Sequence, residues 1–359
     1  MCARIAVIYN QPIPCRYNTK GEEAAVTGVL GAVEAASRAL QELDYEVIPV
    51  PLASPIEQAG EQLKELKADL VFNLFEGFCG YPETEADIPD LLSTLGIPYT
   101  GSPGAALRLA LDKARTKTVL KSKRIATPDF QLLDASEISR FRLNYPCIVK
   151  PPAEDASHGL SERSVVYNST SLKEQLIDFQ SSYSGQALVE EFIDGREFNI
   201  TILGNSRGTA LPISEIEYSL PRGKPRVLTF AAKWQPESLY FQGTKVICPA
   251  KIGAETQRQI EEIALAVFSL LGCRGYARVD MRLGDNGRLY VIEVNPNPDI
   301  SPGYGAALQA EAAGMNYTRF IKKIVELALE KKTNDGQDST NDSRRQASPD
   351  ADTTRYARI

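Results

Sequence analysis

The chain has 359 residues, 43% of them hydrophobic, and 46 acidic side chains against 40 basic ones give a net charge of −6. That length exceeds one ordinary domain and implies two or three compact units with real cores. The acidic balance argues against a nucleic-acid binder, no apolar run reaches the length of a membrane span, and the N-terminus lacks a signal-peptide pattern, so a cytoplasmic protein is expected.

Cys2, Cys15, Cys79, Cys147, Cys248 and Cys273 show no paired short spacing, which suits reduced thiols better than disulfides or a zinc site. The single histidine, His158, is the one candidate base for serine-hydrolase chemistry and excludes multi-histidine metal sites. Its polar loop predicts an exposed residue.

In chain order, the spacing predicts strand 4–9, helix 22–42, strand 45–50, helix 56–67, strand 69–74, helix 84–96 and a short strand 97–100. Strands alternating with helices mean a parallel sheet covered on both faces, with ligands beyond the strand ends near Tyr9–Gln11 and Phe75–Gly80. A helix running through Lys113 to Lys123 follows the Gly101-Ser102-Pro103-Gly104 turn. Strands 145–150, 186–192, 196–203 and 209–218, with helix 171–183, form a smaller α+β unit. Helix 255–271, the region around 275–299 and a final helix from Tyr317 to Glu330 form a third. The domain reading is 1–112, 113–220 and 221–332, and the polar tail 333–359 is expected to be disordered.

Pro146-Cys147-Ile148-Val149-Lys150-Pro151 ends an apolar strand on a lysine, either a snorkelling edge residue or a phosphate-binding point charge. The loop after it, which includes Ser157, is small and polar enough to lie over phosphates but lacks the P-loop pattern. Ala187 to Ile193 turns acidic at Glu190 and Glu191, and Glu197 opens the next strand. Lys233-Trp234 precedes an irregular segment, 235–247, that suits a lid closing on a charged substrate.

The densest chemistry lies between Gly275 and Asp299. Gly284-Asp285-Asn286-Gly287 is a turn between two alternating runs. Folded about it, Ala277, Val279, Met281 and Leu283 share a face with Tyr290, Ile292 and Val294, while Tyr276, Arg278, Asp280 and Arg282 share the other with Glu293 and Asn295. Two carboxylates and an amide oxygen beside a fixed cation suit a hard ion such as magnesium. A solvated face with a cross-strand Arg–Glu pair is the alternative.

Taken together these motifs resemble the ATP-grasp superfamily, and within it the D-alanine–D-alanine ligase group, over roughly residues 1–330. The resemblance implies an α/β fold in which an N-terminal parallel α/β domain and two α+β subdomains clasp ATP. It also implies amide-bond formation through an acyl phosphate, magnesium (or manganese) as metal, amino-acid-like substrates and a homodimer. Carried over by position, Lys113, Lys150, Ser157 and Lys233 would meet phosphates, Glu190, Glu191, Phe192 and Ile193 the base, and Glu197 the ribose. Arg278 and Lys233 would be catalytic, and Asp280, Glu293 and Asn295 metal ligands. Trp234, Asn297, Asp299, Ser301 and Tyr304 would line the substrate side.

The departures fall on that side. Asn295-Pro296-Asn297-Pro298-Asp299-Ile300-Ser301 puts Asp299 where the family has a glycine, and Tyr304 aligns near its substrate-gripping serine. Phe75-Glu76-Gly77 replaces its His-Gly, and Asn10 to Asn18 with Glu22 or Glu23 replaces its serine–glutamate signature. A ligase whose substrates need not be two D-alanines is therefore expected. A true D-alanine–D-alanine ligase and a nucleotide-binding regulator without turnover are the alternatives.

Overall fold

The computed structural model describes residues 3–13 and 23–330. The N-terminal part alternates strand and helix: β1 (Arg4–Asn10), α1 (Glu23–Glu42), β2 (Glu46–Leu52), α2 (Ile56–Glu65), β3 (Leu70–Leu74) and α3 (Asp87–Leu95). The three strands are parallel in the order β2-β1-β3, and the expected strand at 97–100 is reduced to a single bridge between Val71 and Tyr99. Alternation along β1 sends Ala6 and Ile8 to the α2–α3 face and Ile5 and Val7 to the α1 face.

The next helical stretch is two helices, α4 (Gly104–Leu111) and α5 (Lys113–Ser122). Asp112 breaks them apart, because its side chain accepts from the Arg115 N–H at 2.9 Å and caps α5. Strands β4 (Phe130–Leu133), β5 (Cys147–Lys150) and β6 (Val165–Val166), helix α6 (Ser169–Ser182) and strand β7 (Ala187–Glu191) follow, and the strands form an antiparallel sheet in the order β4-β7-β5-β6.

The third sheet starts with β8 (Arg196–Gly204), β9 (Gly208–Ala210) and β10 (Ser214–Tyr218). Helices α7 (Phe230–Trp234) and α8 (Leu239–Gln242), strand β11 (Thr244–Ile247) and helix α9 (Ala254–Leu270) lead to the hairpin strands β12 (Gly275–Leu283) and β13 (Leu289–Asn295). Its order is β11-β10-β8-β12-β13, with β9 on β8. Residues 196–218, grouped by sequence with the small unit, are thus hydrogen-bonded into the hairpin's own sheet.

The chain closes with α10 (Gly305–Ala312) and α11 (Tyr317–Leu329). Phe320, Ile321, Ile324 and Val325 of α11 pack with α1 against Ile5 and Val7 and share that core with Leu203 and Tyr276, so the last helix joins the first sheet to the third. The segment 235–247 is not the irregular loop expected. Ser238 caps α8 through its hydroxyl, Tyr240 is buried, and β11 pairs with β10. Cys79, Cys147, Cys248 and Cys273 are all free thiols. The tail 333–359 and most of the stretch from Asn10 to Asn18 lie outside the described residues.

Candidate active site

The hairpin brings Arg278 opposite Asn295 and Asp280 opposite Glu293. A register shift follows Asp280, so that Met281 faces Val291 and Leu283 faces Leu289. Strict alternation placed Tyr290 and Ile292 in the apolar row. The bulge instead turns Leu289 and Val291 into the core and puts Tyr290 across from Arg282.

Arg278 grips Asp280 with two parallel hydrogen bonds, Nε to Oδ1 at 2.7 Å and Nη2 to Oδ2 at 2.9 Å. Burial opposes the guanidinium's charge, but Asp280, then Glu293 and Asp299, outweigh it and hold the proton more firmly than usual. Burial likewise opposes the charge of Glu293, yet Lys113, Lys150 and Lys233 bring its carboxyl down to about 2. Lys233 forms no ion pair with a described residue, and burial, then Arg278, lower its ammonium below the usual lysine range.

Opposite the hairpin lies a layer of lysines. Lys113, the first residue of α5, pairs with Glu293 and stands 3.5 Å from Asp155, and its backbone N–H donates to the carbonyl of Pro152. One turn on, Lys117 pairs with Glu190 at 2.7 Å and donates to the Thr127 hydroxyl at 2.9 Å. Lys150 takes the other oxygen of Glu190. Lys117 was not singled out in the sequence, although its spacing of four from Lys113 behind the cap Asp112 puts both on one helix face.

Neighbouring positions on β7 alternate, so the Glu191 side chain turns away from these lysines and accepts from the Asn144 amide at 3.2 Å. A role for that carboxylate at the base edge is not what this geometry offers. The Ile193 carbonyl accepts from Arg282 Nη1 at 2.8 Å, and the same guanidinium pairs with Glu197 and lies over the Phe192 ring. Tyr218 donates its hydroxyl to Glu197 at 2.8 Å. Arg282 and Tyr218 fix Glu197, and neither was given a role from sequence.

In the loop after β5, Ala156 and Ser157 hold positive φ (52° and 62°), a conformation that non-glycine side chains resist. The Ala156 carbonyl accepts from the Trp234 indole at 3.5 Å. A Cβ added to Gly28 of α1 would lie 3.2 Å from the Trp234 ring, so α1, this loop and α7 meet there. His158 is buried beside Phe230, ring centroids 5.5 Å apart, contrary to the exposed position expected. Hydrophilic neighbours in sequence do not reveal that a loop folds under a helix.

On the substrate side, Asn297 gives its amide hydrogens to Glu85 at 2.7 Å and to the Phe75 carbonyl at 3.2 Å. It accepts from the Tyr276 hydroxyl at 3.2 Å. Asp299 accepts from the Ser301 N–H at 2.8 Å, so it does cap the following turn, and it also lines a small cavity with Glu76 and Asn297. Burial, then Asp299 and Asp155, push the Glu76 carboxyl up to about 8. Its side chain keeps access to solvent, so this is the desolvation of a concave cleft and not of a core. Burial, then Asp155, also raises Glu85, against the hydrogen bond from Asn297. Tyr304 is 68% exposed at the start of α10, where its bulk meets no described hydrogen-bond partner.

The donor set fits a hard divalent ion. All three candidate ligands offer oxygen, and Lys113 engages one oxygen of Glu293 while no described residue hydrogen-bonds to the other. Asn295 Oδ1 also accepts from the Asn297 N–H at 2.9 Å. Among the described residues no group of three or more histidine, cysteine or acidic side chains converges on one point. A metal here would therefore rest on two carboxylates and one amide and draw its remaining ligands from phosphate or water.

The D-ala D-ala ligase C-terminus family model matches residues 118–326, more than half of the chain. The chain belongs to the D-alanine–D-alanine ligase family. It is an ATP-dependent carboxylate–amine ligase with the ATP-grasp fold. Among relatives, an uncharacterised protein of Sinorhizobium fredii is 36% identical over 260 residues, 72% of this chain and 74% of its own. The D-alanine–D-alanine ligase of Pelotomaculum thermopropionicum is 32% identical, over 83% of this chain and 91% of that one. The D-alanine–D-alanine ligase of Bacillus anthracis complexed with ATP superposes with a TM-score of 0.69 at 26% identity, covering 92% and 97% of the two chains. No helix among the described residues of this family member is long and apolar enough to cross a membrane.

Proposed function

We propose that this ligase joins a carboxylate substrate to an amine other than D-alanine, selected by positive charge or by the lack of a carboxylate near the reacting nitrogen. The observation that carries the reading is Asp299, which lines the cleft beside Glu76 and Asn297, with Glu85 occupying the Asn297 amide. A carboxylate arriving there meets like charge and finds the Asn297 hydrogen-bond donors already engaged.

The nucleotide lies between the β4–β7 sheet and the hairpin's sheet, with its phosphates on Lys113, Lys150 and Lys233 under the Ser157 loop. Its base meets the backbone at Glu190–Ile193, because the Glu190 carboxylate is held by Lys117 and Lys150, and its ribose meets Glu197. Asp280, Glu293 and Asn295 would hold magnesium, or manganese, which when bound neutralises phosphate oxygens and orients them. A substrate carboxylate oxygen attacks the γ-phosphorus and ADP leaves. The amine nitrogen then attacks the acyl carbon, inorganic phosphate leaves with the C–O electrons, and the nitrogen gives up its proton to solvent.

Charge builds on phosphoryl and acyl oxygens in both steps, and fixed cations stabilise it most effectively in a closed site. Arg278, locked on Asp280, and Lys233, which has no ion-pair partner among described residues, are aimed at that charge. Trp234 and Ser301 border the substrate space, and Tyr304 bulk narrows the acceptor end. A homodimer, supported by the family alone, is checked by sedimentation velocity. Dependence on ATP supports a cytoplasmic location.

The test is ADP release over pairs of D- and L-amino acids, basic amino acids and diamines. Cationic acceptors should outperform D-alanine, and Asp299→Gly should improve D-alanine use without changing ATP affinity. Efficient D-alanyl-D-alanine formation by the unmodified enzyme at physiological substrate levels would restore the cell-wall reading.

A further inference from the structure

One buried charge in the lysine layer has no part in the mechanism above. Lys117 is 2% exposed, and its ammonium is tied to Thr127 and Glu190. It borders a small cavity with Ala110, Lys113, Leu120 and Glu293, and its burial keeps its own nitrogen from meeting a substrate directly. Glu190 is equally buried, with side-chain exposure of 3%, and its second oxygen is held by Lys150. Lys150, at the end of β5, is the least buried of the three at 12%.

One carboxylate therefore serves two ammonium groups, and the triad carries one net positive charge. In a medium of low polarisability a carboxylate facing Lys150 alone would form a closed, neutral pair. Sharing it prevents that. Lys113 cannot substitute, because it is already paired with Glu293 and near Asp155. Burial, with Lys150 and Lys113 adding to it against the pull of Glu190, lowers the Lys117 ammonium to about 8, so it still carries its charge at neutral pH.

We propose that Lys117 is a positioning residue: by dividing Glu190 with Lys150, it leaves the Lys150 ammonium positively charged toward the nucleotide's phosphates. This rests on the reading that Lys150 meets phosphate. Lys117 acts on the phosphate end only, and only through Glu190. Losing it should weaken ATP and leave the nucleoside alone untouched, whereas a merely structural lysine would weaken both.

The experiment is equilibrium binding of magnesium-ATP and of adenosine to the full chain, by calorimetry. Lys117→Met should weaken ATP about tenfold or more and change adenosine by less than about twofold, while Lys117→Arg should keep ATP within about threefold of the parent. Equal losses for ATP and adenosine, or no loss for ATP, would overturn the inference. Should Lys117→Met not fold, the same substitution is made on Glu190→Gln, which removes the charge to be shared. There it should cost ATP affinity less than about twofold, and a tenfold cost would overturn the inference. Lys150→Met separates the two readings. If it leaves ATP binding intact, the placement of Lys150 on phosphate is wrong. If it weakens ATP while Lys117→Met does not, that placement stands and the role of Lys117 is refuted.

Discussion

At the scale of single residues, Glu293 is where the charges of the site balance. It stands across from Asp280 and accepts Lys113. Two carboxylates opposite one another on neighbouring strands repel, and the arrangement holds because Arg278, Lys113 and Lys233 surround them. Replacing Glu293 by Gln keeps the shape and removes the charge that a metal would need. We expect Glu293→Gln to lower turnover by about 100-fold or more with an unchanged circular dichroism spectrum. Near-normal turnover at limiting magnesium would take the hairpin out of the metal's site. The four convergent residues were visible from the period of two, but their neighbour Tyr290 was not. A bulge adds one residue to one strand and leaves no mark in the alternation of the other.

At the scale of elements, the loop expected over the phosphates and the segment expected as a lid are built differently. The loop 153–160 holds strained backbone at Ala156 and Ser157, and Trp234 reaches it by one long hydrogen bond. The segment 239–247 is a capped helical turn followed by a paired strand, with Tyr240 buried beneath it and donating to the Pro225 carbonyl at 3.2 Å. Amide hydrogen exchange should therefore gain protection in 153–160 when ATP and magnesium are added. Residues 244–247 should already be protected without them. Unprotected exchange throughout 244–247 in the free protein would return that segment to the status of a lid, and no change in 153–160 on adding nucleotide would remove the loop from the phosphates.

For the whole molecule, the acidic cleft makes stability depend on pH. The Glu76 carboxyl is raised from 4.5 to about 8, so between those values the folded chain keeps a proton that the unfolded chain has released. Stability then falls as pH rises through that window. Glu293 acts in the opposite sense and lower down: its carboxyl is depressed to about 2, so its contribution is complete above 4.5 and is lost on acidification toward 2. The thermal midpoint of the nucleotide-free protein should decline from pH 5 to pH 8, and Glu76→Gln should flatten that decline. An identical slope in the variant would show that Glu76 ionises normally in the cleft.

Sequence alone determined what depends on near neighbours. Alternation put Arg278 and Asp280 on one face with Glu293 and Asn295, the strand–helix rhythm gave the parallel N-terminal sheet, and motif order from Lys113 to Asn295 gave the family. Tertiary structure decided what depends on partners distant in the chain. It placed β8 and β10 beside β12, laid α11 over the first sheet, buried His158 under Phe230, and divided Glu190 between Lys117 and Lys150. The physical reason is that a local pattern states which face of an element is apolar or charged, but apolar faces accept many partners. Which of them meet is settled only when the whole chain has packed.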